Sequence, residues 1–191
     1  MNTIKTETHY KYAKTLCRQY FKGKSNTFKS LFVLGCVAPD YDIFSYFKGF
    51  SVRCFYGHNW PNAKKYLNKK LEQLENNTIN PFSLGRLVHH LCDAFTFVHN
   101  EHYKGGLLFH KKYEEKMHSL YKKTSRTDNK CDLTFDLRDS LVLMVDKLHR
   151  QYERESPSIE NDIKYITFLI SRVLSEYSEK VNSSSTADAV G

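Results

Sequence analysis

The feature that most constrains this chain is a run of potential metal ligands near its middle, in which five of its nine histidines stand close together. His89 and Asp93 are four residues apart on an apolar background, so both side chains lie on one face of a predicted helix. His110 and Glu114 repeat that spacing in the next segment, and His99 lies between the two pairs. Pairs of imidazole and carboxylate on neighbouring helices can build a metal site inside a helix bundle. The spacing therefore predicts a metal centre.

Apolar residues recur at helical intervals through most of the chain, and no segment alternates as a convincing strand does. The predicted fold is an all-α, single-domain multi-helix bundle. Its helices cover, approximately, residues 7–21, 27–34, 61–75, 107–123, 135–154 and 159–181, and a further helix begins at Pro81. We predict one domain at residues 1–181 and a disordered tail at residues 182–191.

The second helix is predicted to stop at Leu34, because Gly35 and Pro39 follow it. Asp40 would then stand on an irregular segment just beyond a helix end. Residues 41–60 are rich in aromatics and predict a long loop, a kind of segment that is usually functional or disordered.

Composition narrows the class of protein. With 40% hydrophobic and 14% aromatic residues, the chain is typical of a folded protein. It has no apolar run near the length of a membrane span and no apolar h-region at its start, so we expect a soluble protein, cytoplasmic as written and without a secretion signal. Five scattered cysteines without a CxxC motif argue against a disulfide framework or a thiolate zinc finger.

The net charge of +8 would attract anionic surfaces, phosphate esters or nucleic acid. Much of this charge comes from lysine pairs such as Lys111 and Lys112, which we interpret mainly as solvated helix faces. No RNA-recognition or zinc-finger signature accompanies the charge, so nucleic acid is a secondary option.

Taken in order, the candidate ligands resemble those of the zinc-dependent phospholipase C family of bacteria. That family has an aspartate in a Pro-Asp turn, a histidine in the following loop, an HxxxD pair, one more histidine and an HxxxE pair. The matching residues here are Asp40, His58, His89, Asp93, His99, His110 and Glu114. Leu84 and Gly85 match the pattern before the HxxxD pair, and His9 matches the N-terminal histidine ligand. Each pair alone is a weak signal, whereas the ordered set is specific.

The resemblance implies an all-helical bundle around a multinuclear cleft that holds three zinc ions. The ligands it implies are Asp40, His58, His89 and Asp93 for one ion, and His99, His110 and Glu114 for a second. His9 would hold the third ion, which Asp93 bridges to the first. In the family an N-terminal tryptophan completes that third site, but here position 1 is Met and the only tryptophan is Trp60, so we expect two or three zinc ions.

The resemblance also implies a phosphodiester hydrolase, most simply a phospholipase C that releases diacylglycerol and a phosphorylated headgroup. Water on zinc has a pKa of about 7, so hydroxide is available at neutral pH to attack phosphorus. Asp40 matches the position that acts both as a ligand and as a base for that water. Tyr41 matches a headgroup-contacting aromatic. Phe55 and Tyr56 are expected either to help line an aromatic box for a quaternary ammonium or to belong to the core.

Three classes of function stay open: a phospholipase C or related phosphodiesterase, a zinc-dependent single-strand nuclease similar to those of fungi and plants, and a non-catalytic protein stabilised by zinc. The first predicts a phospholipid or other phosphodiester substrate and peripheral contact with an anionic membrane, with no nucleic-acid partner unless the nuclease alternative holds. The alternative to a metal site is a helical core in which the histidines are hydrogen-bonded to other groups. The carboxylates of the two pairs argue against this alternative, because a buried carboxylate needs a partner. His90 is expected beside the ligands or at the surface, and His102, His118 and His149 are expected in solvent.

Overall fold

Seven α-helices and one short 3₁₀-helix make up the regular structure of the described residues. The computed structural model describes residues 3–41, 60–100, 105–124 and 138–187, together with residues 103 and 136. The α-helices are α1 (Thr3–Tyr20), α2 (Asn26–Tyr41), α3 (Trp60–Glu75), α4 (Pro81–Ala94), α5 (Leu107–Thr124), α6 (Leu141–Tyr152) and α7 (Ile159–Ala187), and the 3₁₀-helix Phe97–His99 lies between α4 and α5. No strand occurs in this part of the chain. The predicted all-α single-domain bundle is therefore confirmed.

The apolar stripes of α3, α4, α6 and α7 meet in one hydrophobic core. Each stripe repeats at the three- and four-residue intervals that bring side chains to one helix face. Its buried members include Leu67, Leu71 and Leu74 of α3, Leu84, Leu87 and Leu91 of α4, Met144 and Leu148 of α6, and Leu169 and Val173 of α7. Around this core α1 packs on α2, and α5 packs on α7. The described helices include none that is both long enough and apolar enough to span a bilayer.

Two glycines let α2 and α4 cross at very short range. A Cβ atom added to Gly35 would lie 2.1 Å from the carbonyl oxygen of Phe82, and one added to Gly85 would lie 2.1 Å from that of Phe32. A real Cβ atom does not come so close to backbone, so both positions require glycine. The crossing brings the second half of α2 against the part of α4 that bears His89.

The prediction that α2 ends at Leu34 was wrong. Gly35 does not stop the helix; its lack of a side chain lets α2 lie close to α4. The helix continues to Tyr41 with Pro39 inside it. A proline this near the end of a helix disturbs it less than one in the middle, since it removes one backbone bond and few residues follow. Asp40 consequently projects from the last turn of α2, where it is buried, and not from an irregular segment.

The remaining helix boundaries match the predicted boundaries only in part. The starts of α4 and α5 were predicted correctly. The start of α6 was predicted too early, at residue 135, because the N-cap was missed: Ser140 Oγ accepts the N–H of Leu143 at 3.2 Å, and the helix begins at Leu141. The last helix extends to Ala187, past its predicted end. The division into a domain and a tail stays a prediction.

His149 is buried within the bundle, so the prediction that it lies in solvent was wrong. Its ring stacks on that of Trp60 with centroids 4.0 Å apart, and its Nε2–H donates to the carbonyl of Ala94 at 3.2 Å. His149 shares a helix face with Val145 and Leu148, which explains why it turns inward. Burial disfavours the imidazolium and lowers the pKa of His149 to about 4. The ring is therefore neutral at pH 7.

The variant His149→Gln should flatten the acid side of the stability profile, because glutamine keeps a donor for the Ala94 carbonyl but does not titrate. The pKa of His149 is about 4 in the folded protein and 6.5 in its ordinary state, so between these values the unfolded chain binds more protons and stability falls as pH falls. Between pH 7 and pH 5 this costs the wild type roughly 2 kcal/mol of unfolding free energy. Urea unfolding at both pH values measures the effect, and equal pH slopes for the two proteins would contradict it.

The variant Gly85→Ala should destabilise the fold, although alanine favours a helix interior by about 1 kcal/mol over glycine. The added methyl group meets the Phe32 carbonyl and the backbone nitrogen of Cys36, so α2 and α4 have to separate, at an expected cost of about 1–3 kcal/mol or more. Gly23→Ala is the control, because a Cβ atom there meets nothing within 4 Å. If thermal unfolding finds the two variants equally stable, the close crossing is not needed.

Candidate metal centre

Three predicted ligands from α1 and α4 come together around the carboxylate of Asp93. Its Oδ2 lies 3.1 Å from Nε2 of His89, and its Oδ1 lies 3.5 Å from Nε2 of His9. The two imidazole rings are tilted by 32°, with centroids 4.1 Å apart. One ligand atom from each residue lies within 4.8 Å of the others. His9, His89 and Asp93 form what we call the first group, a set of side chains that can hold a metal ion.

A backbone contact orients His89 within the first group. Its Nδ1 lies 2.8 Å from the carbonyl oxygen of Cys36 on α2. Because a carbonyl only accepts hydrogen bonds, Nδ1 carries a proton, and Nε2 is the nitrogen turned towards Asp93. Metal-binding histidines commonly have such a partner on the other ring nitrogen, which fixes both ring and tautomer. This contact was not predictable from the sequence, because it depends on the crossing of α2 with α4 at Gly35.

Asp40 lies at the edge of the first group. Its Oδ1 is 4.0 Å from Nε2 of His89, and the side chain is buried. Its Oδ2 is buried as well and has no hydrogen-bond partner among the residues that the structure describes. A buried carboxylate oxygen without a partner is unfavourable unless a cation or a donor meets it. This favours a cation or a water molecule in front of Asp40, which suits the ligand or base predicted at this position.

The second group comes from the 3₁₀ turn and α5 and consists of His99, His110 and Glu114. Glu114 Oε1 lies 2.9 Å from Nε2 of His110 and 3.2 Å from Nε2 of His99. The two imidazole rings have centroids 5.0 Å apart, and the three ligand atoms lie within 4.8 Å of one another. His110 and Glu114 stand on successive turns of one helix face, as their spacing predicts.

The two groups lie close enough to interact electrostatically. Burial raises the pKa of Asp93, but the charges of His89 and His99 and hydrogen bonds from His89 and His9 outweigh burial and hold that pKa well below its usual range. For His89, burial lowers the pKa, while Asp93 and Asp40 raise it by more, so the net pKa is raised. Asp93 thus stays ionised, and the Nε2 proton of His89 is the one that a metal would displace.

The donors and their spacing fit zinc. Bonds from zinc to imidazole nitrogen and carboxylate oxygen are about 2.0–2.2 Å long, so two ligand atoms on one tetrahedral ion lie roughly 3.3–3.6 Å apart. The nitrogen–oxygen distances within the two groups are 2.9 to 3.5 Å. Two imidazoles and one carboxylate for each ion also leave a coordination position for water or substrate. Since each oxygen of Asp93 faces a different imidazole, this carboxylate can also bridge two ions, as a third zinc site would require.

The structure describes only some of the other predicted residues. Four of the residues singled out in the sequence lie outside the described part of the chain, and their roles stay predictions: Phe55, Tyr56, His58 and His102. Tyr41 is 67% exposed at the end of α2, next to Asp40. His90 is half-buried on α4, and its ring lies edge-on to those of Tyr66 at 4.8 Å and of the ligand His89 at 5.4 Å, so it lies beside the ligands as predicted.

The variant Glu114→Gln should remove about one zinc ion per chain, from the second group. Asp93→Asn should remove one from the first group, or two if Asp93 bridges an ion held by His9 to one held by His89. In both variants an amide keeps the shape of the side chain but loses its charge. Glu115→Gln is the matched control, since Glu115 is the exposed neighbour of Glu114 on the same helix. Elemental analysis after dialysis measures the zinc content. If Glu114→Gln retains as much zinc as Glu115→Gln, the second group is not a metal site.

Comparison with known proteins agrees with this geometry. A sequence model of the family described as zinc dependent phospholipase C matches residues 8–183, a range that runs from α1 into α7 and includes every predicted ligand. Searches of curated proteins and of solved structures found no significant match. A match over most of the chain establishes the family, and with the two ligand groups it accounts for zinc as the cofactor. The chain therefore belongs to the zinc-dependent phospholipase C family.

Proposed function

We propose that this chain hydrolyses phosphodiesters as a phospholipase C, which releases diacylglycerol and a phosphorylated headgroup from a phospholipid. Family membership supports the coarser part, a zinc-dependent phospholipase C-like function. The finer proposal is carried by the position of the two ligand groups, which lie near enough for His99 to act on the pKa of Asp93. Neighbouring cations can hold the oxygens of one phosphoryl group between them.

Asp40 is the residue proposed to move a proton. When bound, zinc supplies the Lewis acidity that polarises a phosphoryl oxygen and acidifies water. In the proposed reaction a water oxygen bonds to phosphorus, while the bond from phosphorus to the diacylglycerol oxygen breaks. Asp40 Oδ2 takes the proton of that water, since it is a buried oxygen without a partner in the described structure. The departing diacylglycerol oxygen takes its proton from solvent.

Tyr41 is proposed to contact the headgroup of the substrate. It directly follows Asp40 and is 67% exposed, so its ring is accessible beside the proposed base. The face of an aromatic ring attracts a quaternary ammonium group by cation–π interaction. Phe55 and Tyr56 remain predicted members of the same aromatic box.

The exposed side chains in the first turn of α5 support the proposal that the protein meets its substrate at the surface of a phospholipid bilayer. Leu108 is 79% exposed and Phe109 is 53% exposed, immediately before the ligand His110. Lys111 and Lys112 follow and are both exposed. Apolar side chains flanked by lysines suit the boundary of an anionic bilayer, because the apolar groups enter the acyl region and the lysines meet the headgroup phosphates. We therefore propose peripheral membrane contact at this turn.

Hydrolysis of three substrates by the wild-type protein tests the proposed function: a chromogenic phosphocholine ester, vesicles of phosphatidylcholine with phosphatidylserine, and single-stranded DNA. We expect hydrolysis of the first two, its loss on chelation, and its recovery when zinc is added back. Cleavage of DNA alone would favour the zinc-dependent nuclease, and zinc binding without turnover of any substrate would favour a non-catalytic protein. Either result would contradict a phospholipase C.

The same assay with Asp40→Asn tests the proposed base, because asparagine keeps the shape of the side chain but cannot take the proton. We expect kcat on the phosphocholine ester to fall by about 10²–10⁴-fold, the range for a positioned acid–base group. Asp136→Asn is the control, since Asp136 is exposed and pairs with Arg138. Zinc content measured on the same samples separates loss of the base from loss of metal, and wild-type turnover by Asp40→Asn would rule out the role.

A further inference from the structure

Asp162, in the first turns of α7, is fully buried yet belongs to neither ligand group. Its carboxylate accepts three hydrogen bonds, from the Tyr113 hydroxyl at 2.9 Å, the Tyr152 hydroxyl at 2.7 Å and the backbone N–H of Phe97 at 3.0 Å. It stands on a helix face that otherwise carries apolar residues such as Ile166. A buried carboxylate is commonly no more stabilising than an apolar residue that fills the same volume. Packing alone therefore does not account for an aspartate at this position.

Two of the three donors belong to residues that are close in sequence to ligands of the second group. Tyr113 directly precedes Glu114 on α5. Phe97 opens the 3₁₀ turn that ends at His99. Both donate to the same oxygen, Oδ2 of Asp162. The turn and α5 are thus fixed to one atom, and so to each other.

The 3₁₀ turn also has hydrogen bonds of its own, and these hold its shape. Thr96 Oγ1 donates to the Cys92 carbonyl at 2.8 Å, and Asn100 Nδ2 donates to the Thr96 carbonyl at 2.9 Å. These bonds tie the turn to the end of α4 and do not reach α5. Asp162 connects the turn to α5. The distance between these two elements has to be right if Glu114 Oε1, on α5, is to meet the imidazole of His99 on the turn as well as that of His110.

We propose that Asp162 is a positioning residue for the second group. Through the turn it sets the place of His99, and through α5 it sets the place of Glu114, so that their nitrogen and oxygen stand 3.2 Å apart before a metal arrives. Tyr152, from α6, binds the other oxygen of the carboxylate and restrains its rotation. A preorganised ligand set binds a cation more tightly, because less ordering is left to occur on binding. The inference rests on the metal centre of the proposed function and not on the phospholipase reaction.

The variant Asp162→Asn tests this proposal, because asparagine offers the three donors one uncharged accepting oxygen in place of a carboxylate, and hydrogen bonds to a charged acceptor are the stronger ones. Cobalt(II) is the probe, since its absorption spectrum reports its ligands, and the Asp93→Asn and Glu114→Gln proteins each retain one group. In the Asp93→Asn protein, we expect Asp162→Asn to weaken cobalt binding at the second group by about tenfold, the lower end of the range for residues that hold metal ligands in place. In the Glu114→Gln protein, cobalt binding at the first group should not change.

Tyr165→Phe is the matched control for a general loss of stability. Tyr165 is fully buried on α7, one turn after Asp162, and its hydroxyl donates to Oε1 of Glu155 at 2.6 Å. The variant loses a hydroxyl–carboxylate bond from the same helix without changing the 3₁₀ turn, so it should unfold in less denaturant and bind cobalt as the wild type does. Equal weakening of cobalt binding by Tyr165→Phe and Asp162→Asn would overturn the proposal, as would unchanged binding by Asp162→Asn.

Tyr113→Phe keeps the proposal testable if Asp162→Asn does not fold, because it removes one donor and leaves the carboxylate its other two partners. We expect it to weaken cobalt binding at the second group less than the amide variant does, and unchanged binding would overturn the proposal. A wild-type protein that binds cobalt at both groups but hydrolyses no phosphodiester would refute the proposed function and leave the role of Asp162 standing. A wild-type protein that binds no metal would refute both.

Discussion

The close crossing of α2 and α4 is the contact on which the rest of the centre depends. Because Gly35 and Gly85 lack side chains, the two backbones meet, and the carbonyl of Cys36 comes within 2.8 Å of Nδ1 of His89. The same approach carries Asp40 to the edge of the first group. A larger residue at either glycine would hold the helices apart, since a close-packed interior has no room to absorb it. The orientation of His89 and the reach of Asp40 would then be lost together.

Burial gives the ligands their chemical character. The imidazoles and carboxylates of both groups are largely removed from water, so each has to satisfy the other. In the protein alone they do so as pairs whose nitrogen and oxygen atoms lie 2.9 to 3.5 Å apart. A divalent cation can replace the protons of these pairs with little movement of the side chains, because the atoms already stand near the spacing of zinc ligands. The helices thus prepare the site before the metal binds.

The sequence predicts the ligand pairs better than it predicts the structure around them. A spacing of four residues puts two side chains on one helix face in any helical fold, so the pairs on α4 and α5 were recognisable. Gly35 led to a wrong prediction of the end of α2, because a glycine that ends a helix and one that lets another helix approach look the same in a sequence. Asp162 and His149 interrupt apolar helix faces, which is a visible signal of a buried polar role. Their partners were not predictable, since only the fold brings Tyr113 to Asp162 across 49 residues of sequence.

The zinc content of the purified wild-type chain, measured by elemental analysis, tests the metal centre most directly. Two ions per chain are expected, one for each group, or three if Asp93 bridges an ion held by His9 to the one held by His89. A protein purified from zinc-containing medium that retains no zinc would contradict this centre. The two groups would then be paired imidazoles and carboxylates in a helical core, with no role in binding metal.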